Sequence, residues 1–82
     1  MAVYKLPLVL DPQPEGGFTV TSPVLPELIT EGDTVEEALA NARDALAALI
    51  EAFHDLNKPL PPTLRPFDDS APLAIETVLA VP

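Results

Sequence analysis

The side chains with chemistry in this chain are mostly carboxylates. Thirteen acidic residues stand beside four basic ones and one histidine, and there is no cysteine. Asp11, Glu15, Asp33, Asp68 and Asp69 fall in stretches that read as turns. Nucleases of the ribonuclease H fold gather carboxylates from facing strand centres to hold two divalent metal ions. Here no acidic residue is predicted at the centre of a strand facing another, so these acids read as solvated loop residues. His54 is the only histidine and lies near the end of a predicted helix, where the helix dipole favours a cation. It has no serine or cysteine nucleophile and no metal-ligand motif near it in sequence. Gly16-Gly17 is too short for a phosphate loop, and no Walker or GxGxxG pattern follows. Lys5, Arg43, Lys58 and Arg65 are scattered, and Tyr4 and the three phenylalanines sit in apolar contexts, so no base-stacking platform is expected. The residue types therefore predict a non-enzymatic protein with no cofactor and no metal.

The net charge of −9 predicts how such a protein would meet others. A polyanion repels phosphate backbones, so direct nucleic-acid binding is not expected. A basic protein is the complementary partner, although the same charge also serves simple solubility. The N-terminus lacks a basic region followed by a long apolar run, and no apolar stretch approaches the roughly 20 residues that span a membrane. A cytoplasmic protein is expected. Eighty-two residues make one domain with a modest core and no disulfide, so self-association is expected to help stabilise it.

These residues need a scaffold. Val3 to Leu10 reads as a first strand, with Pro7 placing it at a sheet edge or at a bulge. Asp11 to Gly17 reads as a turn, and Phe18 to Ser22 as a second, antiparallel strand. Pro23-Val24-Leu25-Pro26 is extended and irregular, Glu27 to Glu31 supplies a short third strand, and Gly32-Asp33 turns the chain. Thr34 is the predicted N-cap of a helix over 34–57, in a capping box with Glu37, and Asn57 suits a left-handed C-terminal cap before Pro59. Val35, Leu39, Ala42, Leu46, Leu49, Phe53 and Leu56, widened by Ala38, Ala45 and Ile50, form an apolar stripe that should cover the strands. Residues 58–70 read as a proline-rich linker, with Leu60, Leu64 and Phe67 pinning it to the body. In 71–82, Ile75, Thr77, Leu79 and Val81 alternate with Glu76, Val78 and Ala80, which predicts a fourth strand. The expected fold is α+β: a small antiparallel sheet of three or four strands packed on one long helix.

In order along the chain, Asp11, Gly17-Phe18, Val20, Pro23, Leu25-Pro26, Thr30-x-Gly32-Asp33-Thr34 and Glu36-Glu37-Ala38, with Asn41, Ala42 and the later Leu60-Pro61, form a pattern. It resembles the N-terminal domain of HicB-like antitoxins. The resemblance implies a partial ribonuclease H-like fold without the nuclease site. It also implies a dimer or tetramer that binds HicA, a small basic ribonuclease cleaving mRNA. Relatives that repress their own operon add a C-terminal DNA-binding domain, and none is expected within these 82 residues. Glu15, Glu27, Glu31 and Asp33 are the residues expected to contact such a toxin. Val24 and Glu27-Leu28 stand where the family often carries an acidic residue and Gly-Cys, which motivates an alternative: an orphan oligomeric regulatory or structural protein with no toxin partner.

Overall fold

A computed structural model describes residues 3–79 and 81–82. Its centre is a three-stranded antiparallel sheet in the order β2 (Val9–Pro12), β3 (Phe18–Thr21), β4 (Ile29–Gly32). The helix α1 (Val35–Asp55) packs across one face of that sheet. A separate two-stranded ribbon joins β1 (Tyr4–Lys5) to β5 (Arg65–Pro66). The architecture is α+β, as the sequence predicts.

The core follows from the pleat. Leu10, Val20 and Thr30 form one cross-strand row, and Pro12, Phe18 and Gly32 form the next row but one on the same face. Val20 is completely buried there, and Leu10 and Phe18 pack against it. From the helix, Ala38 and Ala42 are buried, and Ala45, Leu46 and Leu49 close the layer. Small residues at 38 and 42 let the helix come close to the sheet. Gly32 shows how close: a Cβ there would collide with the Ala38 backbone nitrogen. Gly32 is thus the last residue of β4 and a point of near contact, where the sequence suggested only a turn.

The helix ends are built locally. Thr34 caps the N-terminus in extended backbone, and its Oγ1 accepts from the Glu37 N–H at 3.1 Å. The reciprocal bond from the Thr34 N–H to the Glu37 carboxylate is not among those of the described residues, so half of the expected capping box is formed. At the other end Asn57 has φ +54°, Lys58 N–H donates to Phe53 C=O, and Asn57 N–H donates to His54 C=O. That is a Schellman cap. On the stripe, Leu39 and Leu56 remain exposed.

Four expectations are corrected. The first strand is two strands: Pro7 has no N–H to give a ladder, and around it the chain leaves β3 and pairs with β5 instead. The turn begins later than Asp11, since β2 runs through Asp11 to Pro12; the reversal is Gln13 to Gly17, closed by Gln13 N–H to Gly17 C=O. The proline-rich segment is held to the body at Leu64, as expected, but it also contributes a strand. Leu64 is buried, Thr63 Oγ1 donates to the Val24 carbonyl at 2.7 Å, and Arg65–Pro66 is β5. Finally, no strand forms over 71–79 or 81–82; Ala80 lies outside the described residues. β5 takes one edge of β1, and beside β4 the α1 side chain Asn41 donates through Nδ2 to the Glu31 carbonyl at 2.7 Å.

The loop between β3 and β4 is also more than irregular chain. Leu25 and Leu28 are, with Val20, the largest fully buried side chains, and Leu28 N–H donates to the Leu25 carbonyl. The two leucines plug the end of the sheet–helix layer and contribute roughly 1.5–3 kcal/mol each in burial, before entropy.

Candidate functional site

The face of the sheet turned away from α1 carries two rows. Val9, Thr21 and Ile29 form one, and Asp11, Thr19 and Glu31 form the other. Val9 and Ile29 are exposed, and so are both carboxylates. Asp11 and Glu31 thus stand on one face, two strand spacings apart across Thr19, or about 10 Å. Reading Asp11 as a turn residue hid this pairing.

At one end of the same sheet the acidic row continues. The register of Pro12, Phe18 and Gly32 puts the hairpin tip with Glu15 beside the β4–α1 corner with Asp33. Gly17 fixes that junction. It has φ +77°, and a Cβ on it would lie 3.0 Å from the Gly32 carbonyl and 3.6 Å from Asp33 Oδ1. A side chain would disfavour the backbone and push the hairpin off the corner. The first turn of α1 adds exposed Glu36 and Glu37 at this end.

The structure therefore brings Glu15, Glu31 and Asp33 to one end of the sheet, with Glu31 on the face turned away from α1. Glu27 is elsewhere: it precedes β4, at the opposite end of the strand from Asp33. Asp11, Glu36 and Glu37 join the group. The signal that could have found them was the hairpin register for Asp11 and the position of the helix start for the two glutamates. Among the described residues, no three His, Asp or Glu side chains converge to hold a metal ion. His54 is exposed in the last turn of α1, far along the helix from the acidic end. No helix among the described residues is long and apolar enough to cross a membrane.

The Asp68 carboxyl has a pKa lowered by hydrogen bonds from the Ser70 hydroxyl at 2.6 Å and the Ser70 backbone N–H at 2.9 Å. This turn is distant in sequence from the acidic face and directs the chain into 71–82.

Residues 6–71 match the family model described as the HicB-like antitoxin of bacterial toxin–antitoxin systems. Antitoxin HicB 1 of Photorhabdus laumondii is 44% identical over 57 residues, covering 70% of this chain and 37% of the relative. Antitoxin HicB of Escherichia coli K12 is 39% identical over 66 residues, covering 78% of this chain and 48% of the relative. A UPF0150 protein of Thermoplasma acidophilum is 33% identical over 57 residues, covering 70% of this chain and 83% of the relative. The chain thus spans less than half the length of the HicB relatives it matches.

Proposed function

The chain belongs to the HicB-like antitoxin family of bacterial toxin–antitoxin systems, and from that premise we propose that it binds and neutralises a small basic HicA-like mRNA interferase. The observation that carries the proposal is the family match together with the acidic face and end it encloses: Asp11 and Glu31 on the sheet, Glu15, Asp33, Glu36 and Glu37 at its end. Val9 and Ile29, on either side of Thr21, supply exposed apolar side chains beside those charges. Protein interfaces of this kind join an apolar centre to a charged rim, and the charge speeds encounter with an oppositely charged partner.

In this reading the protein acts by occupying the toxin's surface, with no chemistry of its own, no cofactor and no direct contact with nucleic acid. It works in the cytoplasm, where mRNA is, and as a homo-oligomer. Glu15, Glu31 and Asp33 contact the toxin; Glu27, at the far end of β4, lies outside the proposed contact. The orphan alternative drew on Val24 and Glu27-Leu28. Leu28 is fully buried, so its identity reports core packing, and that residue no longer favours a lost partner.

The test is co-expression with the small open reading frame adjacent to this gene. The neighbour is expected to arrest growth alone, to be silenced by this chain, and to co-purify with it. A neighbour that is neither toxic nor bound would overturn the proposal.

A further inference from the structure

The surface of this chain is larger than its mass requires. It exposes 6497 Å² at 8.7 kDa, whereas a compact monomer of that mass exposes roughly 4,700 Å². Its radius of gyration is 14.0 Å, against roughly 12 Å for a compact chain of 82 residues. Much of the excess is apolar and belongs to the C-terminal tail: Ile75, Val78, Leu79 and Val81 are each about 70–80% exposed. Among the described residues, 71–79 make no backbone–backbone hydrogen bond. The tail has the alternation of a strand and no ladder.

A receptor for such a strand lies on the same chain. Between the Val3–Leu8 segment and α1 runs an open groove of about 340 Å³ with an apolar floor of Leu6, Leu8, Ala42 and Leu46. Val3 and Leu39, both exposed, form its lips, and Arg43 stands at its edge. A second groove along the same segment is lined by Tyr4, Lys5, Phe67 and the root of the tail, Leu73 and Ile75. The tail therefore starts beside Val3–Leu6, the same segment that borders the unfilled groove against α1.

We propose that the tail, through Glu76–Leu79 and Val81, pairs with a second copy of this chain, placing Leu79 and Val81 in the groove between Val3–Leu8 and α1 of that copy. A two-fold axis makes the exchange reciprocal. This deepens the self-association in the reading above, and it stands or falls separately from toxin binding. Three observations choose a second copy as the occupant. Covering the excess of roughly 1,800 Å² on each chain gives a total in the range of obligate homodimers, about 2,000–5,000 Å². Two of the four cations, Lys5 and Arg43, border the two grooves, and Glu76 is the only charged residue of 71–82. A basic partner would seek the acidic end of the sheet, whereas this tail carries a single charge. The backbone supplies ladder bonds and alternate side chains supply the fit, as in strand addition generally.

The test uses the intact 82-residue chain in sedimentation from about 1 µM to about 500 µM, with an isotope-filtered NOE spectrum of mixed labelled and unlabelled copies. A dimer is expected, with NOEs between Leu79 or Val81 methyls of one copy and Leu39 or Leu46 of the other. Leu79→Asp with Val81→Asp should weaken dimerisation at least about tenfold, because it carries charge into an apolar groove. Both residues are exposed in the single chain, so its fold should persist, and an unchanged amide spectrum of the body checks this. Leu39→Lys should weaken dimerisation from the groove side. A monomer throughout the range, a dimer indifferent to both variants, or tail-to-groove NOEs only within one chain would overturn the proposal.

Discussion

Two regions of this molecule carry the same sequence signal and meet different fates. In β3, Phe18 and Val20 alternate with Thr19 and Thr21, and the strand forms. In the tail, Ile75, Leu79 and Val81 alternate with Glu76 and Val78, and the described residues form no strand. The difference is not propensity. β3 has β2 on one edge, β4 on the other and Ala38 and Ala42 over its buried face. The tail has no ladder partner among the described residues; β5, not the tail, pairs with β1. Period-two alternation says that a segment can be a strand; whether it is one depends on a free edge and a covered face.

If that contrast is right, substitutions in the two regions should differ sharply in cost. The largest effect is expected at Gly32. Gly32→Val places a side chain against the Ala38 backbone, so the strand and helix must part, at about 3 kcal/mol or more. Urea denaturation should show most of a small domain's stability gone. Leu28→Ala removes a fully buried side chain and should cost about 2–5 kcal/mol by the same measurement. Asn41→Ala leaves the Glu31 carbonyl to water and should cost about 1 kcal/mol; hydrogen exchange along β4 would report the loosened edge. Leu79→Ala in the tail should change the unfolding of the monomer by no more than about 0.5 kcal/mol. If Leu79→Ala cost as much as Leu28→Ala at concentrations where the chain is a monomer, the tail would be part of the core after all.

The smallest expected effect is a pH dependence at the root of the tail. Asp68 has a lowered pKa, so its carboxylate favours the folded turn above the unfolded carboxyl's pKa, and that contribution fades as pH falls through the lower, folded value. The window lies in the acid range, below the ordinary carboxyl pKa near 3.8. NMR titration should show the Ser70 amide shifting there, and Asp68→Asn should abolish the shift while leaving the helix and sheet resonances in place.

The parts legible in the sequence are those set by near neighbours. Thr34 caps α1 because a hydroxyl three residues before an N–H can reach it, and Asn57 ends α1 because it tolerates φ +54°. Gly16 and Gly17 were readable as hairpin residues for the same reason. The parts that were not legible depend on contacts far apart along the chain. Pro7 announces an interruption and says nothing about the switch of partner from β3 to β5. Gly32 looks like a turn residue until Ala38 is seen against it. Leu25 and Leu28, set among prolines, become core only when the sheet and helix leave a space for them. The sequence offers Glu15, Glu27, Glu31 and Asp33 as a list, without Asp11, Glu36 and Glu37, and not as a surface. Only the register joined Asp11 to Glu31 and sent Glu27 to the other end.

The proposed division of labour assigns the acidic face to the toxin and the tail to a second copy of the chain. Titration calorimetry with the co-purified toxin tests it directly. Asp11→Lys with Glu31→Lys should weaken toxin binding at least about tenfold, the cost of like charges at a complementary interface. Leu79→Asp with Val81→Asp should leave the affinity per chain within about twofold, a difference well under 1 kcal/mol. Full affinity in the face variant, or a larger loss in the tail variant than in the face variant, would contradict the account.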